Sequence, residues 1–473
     1  MKILFAASEA LPFIASGGLA DVAGALPKAI RKKNVACRVV IPLYSNIKDE
    51  YREKLKFVTS FTVKMAWRNI YCGVFSANID GVIYYLLDNE YYFKRDGIYG
   101  FFDDAERYAF FSKAILEMIP HIKYIPDVIH SNDWQSALVP IYHNLYYSDI
   151  EGYQNIKNVF TIHNIQYQGK YGKEIMYDVL DLPEYATNIV SYDNCVNLMR
   201  GAIETADKVT TVSPTYAKEI LDPWYSHGLD YLLRENQYKL SGILNGIDND
   251  RYNPEIDCEL YQNFKSGDLK GKKLEKKALL KELGLQDNGE PVISIVTRLV
   301  GHKGIDLIKF VFEDILALGT KIVVLGSGDY FYEGFFKDMQ ARYPDKVSVT
   351  IGFIPELAKR IYAASDIFLM PSKSEPCGLV QMISLRYGTI PIVRETGGLA
   401  DSITDCGTLQ GNGFTFKSYN AHDMLNAATR AKSLYDDNKN WSKLVSYAFT
   451  CDFSWKKSAG SYIDLYKDVV RVI

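Results

Sequence analysis

Residues 2–32 read KILFAASEALPFIASGGLADVAGALPKAIRK, and residues 397–401 repeat the turn, GGLAD. The first stretch joins an apolar run, Lys2–Ala6, to a helical pattern over Ala20–Lys32 through Gly17-Gly18. A buried strand, a glycine turn and a helix form the repeating unit of a doubly wound sheet, and ligands sit beyond the C-terminal ends of its strands. Adjacent glycines let backbone approach a ligand and aim N–H groups at an anion, helped by the helix N-terminus. A tight strand–helix turn is the bland alternative. Gly397-Gly398 follows another apolar run, Ile390–Val393, so the equivalent settings favour a functional reading of both copies.

The same alternation runs outward along the chain. Strand-like runs at 2–6, 35–41, 81–87, 128–130, 159–161 and 208–212 are separated by helical patterns at 20–32, 104–119, 134–146 and 195–206. A second series has strands at 292–297, 321–325, 347–352, 367–370 and 390–393, with helices at 304–318, 354–363, 379–387 and 421–434. Unbroken apolar strands alternating with helices predict parallel sheets covered on both faces. The polar, Lys-rich region after Asn245, through residues 265–281, reads as the break between them. The expected division is therefore a domain at 1–240, a second at 241–454, and an amphipathic segment at 455–473 that packs on a domain surface.

Composition narrows the function classes. The 473 residues carry a net charge of -3, which gives no basic face for nucleic acid. An anionic ligand must be held by locally placed cations and N–H groups. Seven cysteines, an odd number with no CxxC pair, favour reduced thiols in a cytoplasmic protein over disulfides or a zinc site. The apolar run at the N-terminus is short and ends near Glu9, which suits a strand better than a signal peptide. No stretch approaches a membrane span.

Several strand ends carry chemistry. Arg298 and Lys303, in RLVGHKG, suit a diphosphate through a guanidinium fork and a point charge, or form a solvated basic loop. Asp133, in HSNDWQ, and His163, in TIHNIQYQG, follow two strands and point to one edge; alternatively Asp133 caps a helix and His163 is structural. Glu375, in SEPCGL, can accept hydrogen bonds from sugar hydroxyls, or simply open a helix. Gly326-Ser327-Gly328 begins a dinucleotide fingerprint, but Phe331 stands where its last glycine belongs, which argues against a dehydrogenase.

Together these stretches resemble the bacterial glycogen synthases, retaining glucosyltransferases related to plant starch synthases. SEALPF, SGGLADVAGALPKAI, HSNDWQ, TIHNIQYQG, ILNGID, TRLVGHKG, SEPCGL, RYGTIPIV and ETGGLADSI occur in the family's order, almost end to end. The resemblance implies a GT-B fold: two Rossmann-like α/β domains facing a deep cleft, with a terminal helix crossing back to the first. It implies glucose transfer from ADP-glucose to the non-reducing end of an α-1,4-glucan, with retention and without metal or cofactor. By that resemblance, Arg298 and Lys303 hold the diphosphate, assisted by the backbone of Gly17 and Gly18. The carbonyl of His163 faces the anomeric carbon. Glu375, with the N–H groups of Cys377 and Gly378 and neighbouring Leu379, holds sugar hydroxyls that Asp133 and Asn245 help orient. Phe353 stacks on the base, and Glu9, Asp21 and Tyr99 line the cleft.

Two positions depart from the family. Some retaining relatives have a second Glu eight residues after the first; here that residue is Ile383, which leaves front-face attack as the favoured mechanism. The usual Lys-x-Gly-Gly-Leu reads Ala15-Ser16-Gly17-Gly18-Leu19, so a cation expected beside the donor is missing. A GT-B enzyme with another acceptor, and a non-catalytic binder of glucan or nucleotide-sugar, are the competing readings.

Overall fold

The computed structural model describes residues 1–265, 267–408 and 410–471; the last two residues of the terminal segment, Val472 and Ile473, lie outside the described residues. Two compact units emerge, Met1–Gly246 with Trp455–Ile473, and Ile247–Ser454. The boundary falls after Gly246 where 240 was expected, because Leu240–Gly242 pairs in parallel with Lys208–Thr211 and extends the first sheet.

In the first unit the strands are β1 Lys2–Ala6, β2 Ala36–Pro42, β3 Lys56–Met65, β4 Arg68–Ile79, β5 Val82–Asp88, β6 Val128–Asn132, β7 Lys157–Ile162, β8 Lys170–Tyr171, β9 Ser191–Tyr192, β10 Cys195–Asn197, β11 Lys208–Thr211 and β12 Leu240–Gly242. Nine of them form one sheet in the order β12-β11-β7-β6-β1-β2-β5-β4-β3. β4 runs antiparallel to β3 and β5, and the remaining neighbours are parallel. The long β3–β4 hairpin lay in a region with no sequence assignment; β3 is exposed along much of its length and lacks the unbroken apolar signature of a buried strand. β8, β10 and β9 form a small separate sheet, so the expected helix 195–206 is a strand followed by helix Leu198–Thr205.

Helix Gly18–Lys32 buries Leu19, Val22, Ala23, Leu26 and Ile30, and its neighbour is the terminal helix Trp455–Arg471. That terminal helix buries Trp455, Ala459, Tyr462, Ile463, Tyr466 and Val469. The Tyr466 hydroxyl lies 2.7 Å from His130 Nδ1 on β6, and His130 Nε2 lies 2.6 Å from Thr161 Oγ1 on β7. A polar pin inside an apolar contact thus fixes the end of the chain on the first sheet.

The second unit holds β13 Val292–Val296, β14 Lys321–Gly326, β15 Val347–Ile351, β16 Ile367–Met370, β17 Ile390–Arg394 and β18 Phe414–Phe416, in the order β15-β14-β13-β16-β17-β18. All are parallel, and the order is the 3-2-1-4-5-6 of the Rossmann fold. The Lys-rich break is a correction: residues Leu269–Glu282 form a helix packed on helix Pro355–Ala364. Two of its lysines, Lys272 and Lys276, point inward. Lys272 Nζ donates to the carbonyls of Ala363 and Tyr387 and to Thr389 Oγ1, and Lys276 pairs with Asp366 at 2.7 Å. Each ammonium is satisfied by fixed acceptors, so composition alone misread a packed helix as a linker.

Candidate functional site

In each Rossmann-like sheet the strand order reverses at one point, and the loops leaving the strands on either side form the ligand crevice. In the first domain β1 and β6 flank that point; in the second, β13 and β16 do. Glu9, Gly17, Asp133, His163, Arg298, Lys303 and Glu375 follow these strands or their immediate neighbours, whereas Tyr99, Asn245 and Phe353 follow β5, β12 and β15, farther out in the sheets.

Asp133 leaves β6 at φ 54, the left-handed region, and caps no helix. Its carboxylate instead accepts the backbone N–H groups of His163, at 2.8 Å, and Asn164, at 3.3 Å, so the β6 and β7 loops are tied together. The helix expected from Trp134 is broken into a 3-10 turn, an α-helical turn at Leu138–Tyr142 and a π turn. Burial pushes the Asp133 carboxyl up to about 7, partly offset by those N–H groups.

His163 Nε2 lies 2.9 Å from Asn132 Oδ1. Asn132 Nδ2 already donates to the carbonyls of Ala6 and His130, so Oδ1 is the acceptor and Nε2 carries the hydrogen. Burial pushes the imidazole down to about 3. His163 is therefore neutral and oriented at physiological pH, which removes an acid or cationic role for its ring.

Glu9 is 3% exposed. It accepts the N–H groups of Ser16 and Gly17 and so braces the turn that opens helix Gly18–Lys32. Burial pushes its carboxyl up to about 7, and Asp21, in the helix's first turn, opposes its charge. Tyr99 is half-buried, with its hydroxyl 2.7 Å from Ser8 Oγ. Ala15 is exposed beside this turn. Asn245 is buried, and its Oδ1 has no hydrogen-bond partner among the described residues. An orphaned buried acceptor costs about 1–3 kcal/mol, and a donor group on a ligand would relieve it.

In the second domain Lys303 Nζ pairs with Glu375 Oε2 at 2.7 Å, and Ser372 Oγ donates to the same oxygen at 3.0 Å. Arg298 is exposed after β13. The loops are locked together: the Lys373 N–H donates to the His302 carbonyl at 2.9 Å, and a Cβ on Gly304 (φ +75) would lie 2.2 Å from the Pro371 oxygen. Gly378 sits at φ 69, Cys377 is buried, and Leu379 precedes helix Val380–Arg386. Ile383 is buried in that helix. Phe353 is 88% exposed at the end of β15.

The two GGLAD copies prove unlike. A Cβ on Gly18 meets nothing within 4 Å, and one on Gly17 meets only Glu9 Oε1 at 3.8 Å. In the second copy, a Cβ on Gly397 (φ +45) would stand 2.0 Å from the Glu375 oxygen, and one on Gly398 2.2 Å from the Cys377 oxygen. The Gly398 N–H is already donated to Glu375 and Pro376. The second copy is therefore a packing turn that backs the Glu375 loop, which corrects its reading as a second ligand turn. Gly326 and Gly328 likewise make close approaches to the Thr297 and Leu299 carbonyls, which accounts for the incomplete dinucleotide fingerprint.

Asn132, Ser372 and Ser16 escaped sequence reasoning. Asn132 and Ser372 sit on or just after the same strands as predicted residues, and that placement was the available signal.

These features define a glycosyltransferase with the GT-B fold. The starch synthase catalytic domain family matches residues 2–235, and the glycosyl transferases group 1 family matches residues 276–445. The chain belongs to the glycogen synthase family: it is 49% identical to the glycogen synthase of Bacillus cereus, with 100% of both chains covered. It is 48% identical to that of Clostridium perfringens, covering 100% of this chain and 99% of the relative. The catalytic domain of starch synthase IV from Arabidopsis thaliana, solved with ADP and acarbose, superposes with a TM-score of 0.93 at 34% identity, over 99% of each chain. A sucrose-phosphate synthase from Thermosynechococcus elongatus shares the fold, with a TM-score of 0.61 at 17% identity over 99% of this chain and 98% of that one. Among the described residues, no helix is long and apolar enough to cross a membrane.

Proposed function

We propose that the chain transfers glucose from ADP-glucose to the 4-hydroxyl at the non-reducing end of an α-1,4-glucan, with retention, in the cytoplasm and without a metal or cofactor. The observation that carries this reading is the Lys303–Glu375–Ser372 cluster at the β13/β16 switch point, in a chain whose relatives are glycogen synthases.

In the second domain, Arg298 and Lys303 hold the diphosphate and stabilise the charge growing on the leaving ADP. One such contact typically contributes about 3 kcal/mol to lowering the barrier. Glu375 receives sugar hydroxyls while the N–H groups of Cys377 and Gly378 donate, next to Leu379, and Phe353 stacks on the base. In the first domain, the open Gly17-Gly18 turn admits a phosphate, and the His163 carbonyl faces the anomeric carbon. Asp133 and Asn245 orient the sugar; Glu9, Asp21 and Tyr99 serve the acceptor or the donor side. With Ile383 at the second Glu position, attack comes from the front face. The C1–O bond to phosphate breaks, C1 bonds to the acceptor O4, and the hydroxyl proton passes to the leaving phosphate.

The test is glucose incorporation into glycogen from ADP-glucose and UDP-glucose, for the wild type and Ala15→Lys. ADP-glucose is the preferred donor, and the added cation tightens donor affinity by roughly two- to fivefold, as an exposed charge does. No incorporation from either donor by folded protein would overturn the reading; equal donor constants for the two proteins would remove position 15 from it.

A further inference from the structure

Gln381 lies in helix Val380–Arg386, is fully buried, and has no part in the roles given above. Its Nε2 donates to the Cys377 carbonyl at 3.1 Å, the Gly378 carbonyl at 3.0 Å and Ser402 Oγ at 3.0 Å. Ser402 ends helix Gly397–Ser402, and its hydroxyl donates to the Gly398 carbonyl at 2.6 Å, which leaves its oxygen to accept from Gln381. One amide thereby joins the loop after Glu375 to the packing turn behind it.

The orientation of this amide is fixed, and it has a cost. All three neighbours of Nε2 act as acceptors, so the reversed amide would set oxygen against two carbonyl oxygens. In the orientation present, Oε1 is buried with no hydrogen-bond partner among the described residues. A Cβ on Gly378 (φ +69) would stand 2.6 Å from Oε1, so the loop lies directly on the amide. The side chain leaves one acceptor unsatisfied while it holds two backbone carbonyls.

The consequence falls on the opposite face of the loop. In a planar trans peptide the N–H points away from the C=O. The Pro376 carbonyl accepts the Gly398 N–H at 3.2 Å, and the next two carbonyls accept from Gln381. Three successive carbonyls are thus turned toward the packing turn and the helix. The N–H groups of Cys377, Gly378 and Leu379 are turned the other way, just after Glu375. Those of Gly378 and Leu379 donate to no acceptor among the described residues.

We infer that Gln381 is a positioning residue for recognition of the donor sugar: it sets the peptide planes of residues 377–379 so that their N–H groups meet the hydroxyls of the transferred glucose. The inference rests on the proposed function, which puts the sugar at this loop. Arg298 and Lys303, which take the diphosphate in that reading, make no hydrogen bond with Gln381. Loss of the amide is therefore felt by the sugar and not by the nucleotide.

Gln381→Met keeps the volume and removes the donors. Titration calorimetry with ADP and with ADP-glucose separates positioning from folding, because the two ligands differ only by the sugar. For Gln381→Met the Kd for ADP-glucose rises roughly tenfold, the effect of one or two misaligned hydrogen bonds, while the Kd for ADP stays within about twofold. Ser402→Ala removes one anchor of the amide and shifts ADP-glucose in the same direction by roughly two- to fourfold, again sparing ADP. This milder variant decides the matter where Gln381→Met does not fold.

Equal weakening of both ligands makes Gln381 a purely structural residue and overturns the inference, as does unchanged affinity for both. Glucose transfer to glycogen by the wild type is measured alongside. If the wild type transfers nothing yet the variants lose affinity for ADP-glucose alone, the proposed function fails while the positioning role stands. If the wild type transfers glucose and the variants bind both ligands as it does, the function stands and the positioning role fails.

Discussion

Replacing Lys303 with Met separates what its ion pair does for the fold from what it does for the reaction. Lys303 and Glu375 are 15% and 9% exposed and 2.7 Å apart. Removing one partner of a buried pair costs about 3–5 kcal/mol, because the remaining charge is stranded. Ser372 still donates to Glu375 Oε2 and offsets about 1 kcal/mol of this. Lys303→Met is therefore expected to destabilise the second domain by about 2–4 kcal/mol. Adding Glu375→Gln removes the stranded charge, and the double variant regains all but about 1 kcal/mol. Activity behaves differently. If Lys303 stabilises the departing diphosphate by about 3 kcal/mol, kcat/KM falls by roughly 10²-fold in the single variant and is not restored in the double. Hydrogen exchange of the β16 amides reports second-domain stability, and radiolabelled glucose incorporation reports turnover. A double variant as unstable as the single would refute the stranded-charge reasoning. One that regained activity would show that the single variant fails only through its stranded carboxylate, and that neither the lysine's charge nor that of Glu375 serves turnover.

Three further outcomes follow from the sites. Glu9 is held at about 7 against an ordinary 4.5, so between these values the folded state keeps a proton that the unfolded chain has released, and first-domain stability falls as pH rises. The wild type should lose about 3 kcal/mol more than Glu9→Gln between pH 4.5 and 8 in urea unfolding; parallel curves would exclude Glu9 as the source. Gly397→Ala should cost about 3 kcal/mol or more, with a Cβ 2.0 Å from a carbonyl oxygen, whereas Gly18→Ala should leave stability within about 0.5 kcal/mol and lower kcat/KM roughly tenfold. Matching thermal shifts in these two variants would contradict the division of the turns. Phe353→Ala, at a position 88% exposed, should leave the melting temperature unchanged and raise the donor KM roughly tenfold through lost base stacking; an unchanged KM would remove Phe353 from the donor site.

Much of the architecture was legible because parallel strands buried on both faces leave continuous apolar runs, as in β1, β6, β7 and β14. Strand-end positions then carried Asp133, His163, Arg298 and Glu375 into view, since loops at those ends are where such folds bind ligands. What escaped did so for definable reasons. The β3–β4 hairpin exposes much of its surface, and helix Leu269–Glu282 hides lysines whose burial depends on carbonyls about ninety or more residues away.

The amino-acid sequence by itself determined the strand–turn–helix rhythm, the family, and which residue types stand at the strand ends, because these depend on local patterning. Only the tertiary structure decided what those residues are. The neutral tautomer of His163 follows from Asn132 on the neighbouring strand, and the raised carboxyls of Glu9 and Asp133 follow from burial. Two identical pentapeptides became an open ligand turn and a packing turn for the same reason: a glycine's role is set by what lies opposite its missing Cβ, empty space at Gly18 and the Glu375 carbonyl at Gly397.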